Sequence, residues 1–142
     1  MNHTSAAVAG AAAFLWLGMV LAISFLEAPL KFRAPGVTVP IGLGVGRVVF
    51  QALNLAEMAL AGVVVVAVVV GSAPAMVTLL TVVVAALLLA QLAVIRPRLN
   101  RRSDRVLAGE DLPRSRGHLQ YVIAEVAKVM LLIGLGFSVL AV

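Results

Sequence analysis

Two stretches of this chain carry ionisable and amide side chains in otherwise apolar surroundings. Arg47, Gln51, Asn54 and Glu57 recur at helical spacing in the first, and His118, Tyr121, Glu125 and Lys128 do so in the second. At about 100° per residue, each set falls on one helix face, spread over about 120° and about 80° respectively. Glu57 lies ten residues beyond Arg47, and Lys128 ten beyond His118. Both are therefore roughly 15 Å along their helices. A carboxylate and an ammonium at matching depth are expected to pair, and Glu125, three residues from Lys128, to share the same proton or cation. With Asn54 and Tyr121 these residues form a candidate site for a small molecule or ion, and Arg47, His118 and Glu27 stand nearer its mouth. Buried polar groups also serve simply to fix helix register, and the residues alone leave both readings open.

Other chemistry is poorly provided for. The chain has no cysteine and two histidines, His3 and His118, so thiolate chemistry and a structural zinc site lack ligands. Paired histidines for haem are missing within one chain, while a single axial ligand at His118 stays open. No Ser-His-Asp set, HExxH motif or P-loop occurs. Gly42-Leu43-Gly44-Val45-Gly46 lacks the lysine that would make it a phosphate loop. No catalytic or metal-ligating residue is expected.

The elements that must position these residues follow from composition. Hydrophobic residues make up 63% of the 142 and charged residues 12%, about half the charge of a soluble domain. That excludes a soluble enzyme and a disordered chain. Four apolar stretches, about 6–30, 43–70, 75–96 and 117–142, each supply the ~20 residues that a membrane helix needs. Their valine runs suit strands, but length and the need to satisfy every backbone group in lipid favour helix. The expected fold is all-α: one transmembrane domain, residues 1–142, built as a four-helix bundle with a basic connection at 97–116. The first stretch lacks a basic lead-in and a clear cleavage site, and is expected to be retained.

Charge sets the expected orientation. Lys31, Arg33 and Arg47 flank the first connection, seven arginines lie between Arg96 and Arg116, and the second connection has no basic residue. Basic segments stay on the cytosolic side, which puts both termini outside a cell (inner or plasma) membrane. Arg96, Arg98, Arg101, Arg102 and Arg105 are expected to meet anionic headgroups, and nucleic acid is not an expected partner. The segment from Gly46 to Glu57 also aligns with that from Gly117 to Lys128 at an offset of 71 residues, suggesting two repeated helical hairpins. Glycines at 42 and 46 and at 134 and 136 would admit close helix contacts, so a homo-oligomer, most simply a dimer, or attachment to a larger membrane complex is expected.

Gly18, then Phe25-Leu26-Glu27-Ala28-Pro29-Leu30-Lys31-Phe32, an arginine opening the second helix and a histidine opening the last resemble the four-helix family that includes transmembrane protein 205. That family is distantly similar to membrane proteins of copper handling and of haem synthesis. The resemblance implies a four-helix membrane fold and no particular activity. Haem-synthesis relatives place a histidine in the first helix, and the first apolar stretch here, 6–30, has none. Three functions are thus carried forward: a protein that binds or helps transport a small molecule or ion, an accessory subunit of a larger membrane complex, and a membrane enzyme holding haem or a quinone near His118.

Overall fold

The computed structural model describes residues 1–110 and 116–142, with side chains in the second stretch from residue 119 onward. Four long helices account for nearly all of it: α1 (His3–Arg33), α2 (Val39–Val70), α3 (Ala75–Leu107) and α4 (Arg116–Leu140). No strand occurs among the described residues, so the all-α four-helix bundle is the observed architecture. All four helices are long and apolar enough to cross a membrane.

Local sequence explains the helix ends. The Asn2 side chain accepts a 2.7 Å hydrogen bond from the Ser5 amide at the start of α1, satisfying one of the free donors there. Thr38 does the same for α2 through the Ile41 amide. Pro40 falls in the first turn of α2, where its missing N–H costs nothing, so it starts this helix instead of lying in the connection. Gly109, at φ +93°, supplies the left-handed residue that ends α3.

The expected basic connection is corrected here. Residues 96–107 continue α3 as helix, and Arg98 and Arg101 lie exposed along it. Arginine is a good helix former, and Pro97 is accommodated because a π-helical turn, Gln91–Ile95, immediately precedes it. Proline cannot donate to the carbonyl four residues back, here that of Ala93. α1 repeats the device, with a π-helical turn at Leu21–Glu27 just ahead of Pro29.

Helix α1 packs against α2 and α4, and α3 against the same two, so α2 and α4 face each other across the bundle diagonal. The core runs through Trp16, Val20, Val64, Val84, Leu88, Leu132 and Leu135, all buried. Outward positions such as Leu15, Val48, Leu55, Val66, Val69, Leu89 and Met130 are exposed, giving a surface as apolar as the interior. At one end Gly71 lies against Ser5 and Met1, and Gly10 against Val139, which places both termini beside the 71–74 turn. Lys31, Arg33 and the arginines of α3 gather at the other end.

The glycines expected to serve contacts between copies are filled within the chain. A Cβ on Gly42 would fall 2.1 Å from the Phe32 ring, and one on Gly46 2.7 Å from Lys31 Nζ. Gly136 is covered by Phe14, whereas Gly134 meets only Leu80 at van der Waals distance. Three of the four thus make room for side chains of α1, and their spacing no longer argues for a second copy.

Candidate functional site

At the bundle centre, Lys128 on α4 is fully buried and points across the diagonal. Its Nζ donates to Glu57 Oε2 of α2 at 2.6 Å and to Gln91 Oε1 of α3 at 2.7 Å. Glu125 Oε1 lies 2.7 Å from the same ammonium. Trp16 Nε1 of α1 donates to Glu57 Oε2 at 2.7 Å, and Gln91 Nε2 donates to Glu125 Oε1 at 2.7 Å. Every helix thus contributes one member or more to a closed network. The ammonium thus has two hydrogen-bond acceptors and a second carboxylate at ion-pair distance, the kind of partnering that a charge so far from water requires. One atom is left over. Glu125 Oε2 is buried and has no hydrogen-bond partner among the described residues.

From Glu125 a cleft of about 1050 Å³ opens toward the basic end. Phe25, Phe32, Leu43, Leu119 and Val122 line much of its wall, and Tyr121 and Ser24 stand near its floor. Aromatic and cationic side chains alternate across it. Lys31 Nζ is 5.6 Å from the Phe32 ring and 5.7 Å from Phe50, while the Arg96 guanidinium is 4.5 Å from Phe50 and 4.8 Å from Tyr121. These contacts, each favourable by about 0.5–2 kcal/mol, fix the cations at the mouth. Arg47 closes one side through an ion pair with Asp104 and a 3.5 Å hydrogen bond to the Asn100 carbonyl.

The structure brings Glu57, Glu125 and Lys128 together as their spacing and depth suggested. Tyr121 and Arg47 border the cleft instead of joining the network. Asn54 is half-buried and lines a separate small recess beside Arg47 and Arg96. The single polar stripe on α2 therefore divides: Glu57 faces inward and Gln51 is exposed, as a spread of about 120° allows. Glu27 forms an ion pair with Lys31 at 3.7 Å. Arg102 lines the cleft and Arg105 pairs with Glu110 at 2.7 Å. The His118 side chain, with the haem reading attached to it, lies outside the described side chains.

Two members of the network were missed. Trp16 is the chain's single tryptophan, and a buried indole N–H needs an acceptor. Gln91 is the lone amide in the apolar stretch of α3, and its inward direction depends on packing with α4, which helix-by-helix periodicity does not contain. The proposed repeat has a geometric counterpart. Glu57 and Lys128, 71 residues apart, touch each other. Phe50 and Tyr121, also 71 apart, meet edge to face with centroids 5.6 Å apart. Asn54, the counterpart of Glu125 at the same offset, stays outside the network and lines the small recess instead.

Comparison of the chain with family models, with curated proteins and with solved structures found no match.

Proposed function

We propose that this is a multi-pass membrane protein that binds a small molecule or ion, taken from the cytosolic side into the cleft that ends at Glu125. Four helices of spanning length and a surface of exposed leucine and valine support membrane insertion. The basic residues at the cleft mouth support a cytosolic opening and external termini.

One observation carries the binding reading. Glu125 is 1% exposed, lines the cleft, and holds one oxygen without a hydrogen-bond partner among the described residues. A carboxylate needed only to fix helix register gains nothing by leaving an acceptor unsatisfied, since such an atom costs about 1–3 kcal/mol. An acceptor reserved for a bound donor, cation or proton has that form. The π turns at the same level agree with this, because such bulges recur at functional sites.

Two carboxyl groups share the one ammonium of Lys128, and the open Glu125 Oε2 is the atom on which a balancing proton would sit; a hydrophobic carbodiimide, which modifies carboxyl groups carrying such a proton in apolar surroundings, tests the reading on protein in lipid nanodiscs. Peptide mass analysis is expected to find Glu125 modified and Glu57, held by Trp16 and Lys128, intact. Modification of neither residue, or of both equally, would refute a cleft that delivers molecules to Glu125.

A further inference from the structure

The cleft mouth contains a second polar feature beyond the buried network. A recess of about 150 Å³ is lined by Arg47, Gln51, Asn54, Arg96 and Asn100. Two guanidinium groups and three amides supply many N–H donors, and among the described residues no carboxylate lines the recess, Asp104 pairing with Arg47 outside that lining. Arg96 meets two aromatic rings and no acid among the described residues. Those rings hold its guanidinium in place, so an incoming anion finds the planar donor fork already ordered. Arg47 is anchored through Asp104 and Asn100, which fixes the other wall.

The recess adjoins the large cleft, and Arg47, Arg96 and Asn100 border both. Beyond these three residues Lys31 and Arg102 add positive charge near the mouth and Ser24, Tyr121 and Glu125 lie deeper, while Phe25, Phe32, Leu43, Leu119 and Val122 give much of the wall an apolar face. We infer that the site takes a long-chain amphiphile with a phosphate or carboxylate head, the head seated between Arg47 and Arg96 and the chain lying along the Phe25, Phe32 and Leu43 wall. This rests on the reading that the cleft is a binding site, and it adds the ligand class. Glu125 on the floor turns the anionic head away from the buried network and keeps it at the mouth. A free inorganic anion would leave the apolar wall unused, and a neutral chain would leave Arg96 without a counter-charge, Arg47 already having Asp104.

The test uses the full chain in phosphatidylcholine nanodiscs and measures saturable binding of radiolabelled dodecyl phosphate, with empty discs subtracted. Dodecyl phosphate is expected to bind. Arg96→Gln should weaken it roughly ten- to a hundredfold, as loss of charge-assisted hydrogen bonds does, and Arg33→Gln, an exposed position outside the cleft, should leave it unchanged. Competition by phosphatidic acid built into the disc identifies a bilayer lipid as the source of the head group; absence of competition identifies a soluble amphiphile. No binding of dodecyl phosphate, equal binding of dodecanol, equally tight binding of inorganic phosphate, or full binding by Arg96→Gln would each overturn the inference. The dodecanol comparison uses the unmodified protein and decides the matter even if Arg96→Gln fails to fold. Carbodiimide modification confined to Glu125, alongside failure of these binding tests, would remove the ligand class and leave the binding site standing.

Discussion

Removing the ammonium of Lys128 should destabilise this protein more than any other single change at the site. The side chain is fully buried and holds Glu57, Gln91 and Glu125 within 2.7 Å. Lys128→Met deletes the cation and leaves two buried carboxyl groups facing each other, which places the cost at the upper end of the about 3–5 kcal/mol typical of a broken buried pair. Glu57→Gln is milder, at about 1–2 kcal/mol, because an amide oxygen still accepts from Trp16 and Lys128 while Glu125 remains as counter-charge. A simple two-residue pair would let Glu57→Leu with Lys128→Met recover most of the loss. The triad forbids that, since Glu125 stays buried without a cation. Recovery is expected only when Glu125→Leu is added, as well-packed apolar groups can replace a buried ionic set. Unfolding by SDS titration in mixed micelles, followed by the fluorescence of Trp16, gives the ordering. A double variant as stable as the wild type, or Lys128→Met within about 1 kcal/mol of it, would refute the argument.

Three further outcomes are expected. In a chain without native cysteine, Ser103→Cys should react with impermeant reagents only from the cytosolic side and Ser72→Cys only from outside; the reverse pattern would overturn the proposed orientation. Gly42→Ala should destabilise by about 1–3 kcal/mol through overlap with Phe32, whereas Gly18→Ala, with open space around it, should be neutral or stabilising by up to about 1 kcal/mol, both by the same titration. Trp16→Phe should cost about 1–3 kcal/mol by leaving Glu57 without its indole donor, read by the same titration followed by far-UV circular dichroism because the variant lacks the fluorescent side chain; stability equal to the wild type would refute it.

How far the sequence reveals this architecture depends on the kind of signal. The helices are legible because spans of lipid-facing length need no tertiary information. Glu57 and Lys128 are legible because their equal depth follows from helical rise alone. Gln91 and Trp16 are not, since one polar residue on an apolar helix has no stripe to give its direction. The helical extensions at 39–42 and 97–107 are not legible from the apolar stretches: Pro40 sits at a helix start that tolerates it, and Pro97 follows a widened turn that no hydrophobic period encodes. The glycines were legible as points of close approach, but not as sockets for Phe32, Lys31 and Phe14 of the same chain.

The π turn of α3 has a mechanical consequence. Val77, Thr81, Val84, Leu88 and Gln91 keep a regular inward spacing, and a continued α-helix would bring Ile95 inward next. The wider turn carries one residue more, so the inward position passes to Arg96, which meets Phe50 and Tyr121. The helix is in effect two shafts joined by a one-tooth offset. Deleting a single residue within Gln91–Ile95 would let the wide turn close into ordinary α-helix, and Arg96, one place earlier in the chain, would keep the inward position. Every contact of Val77 to Leu88 would stay in place. A residue inserted there has no such reserve to draw on, and would turn the basic shaft by about 100° against the apolar one, swinging Arg96 away from the cleft.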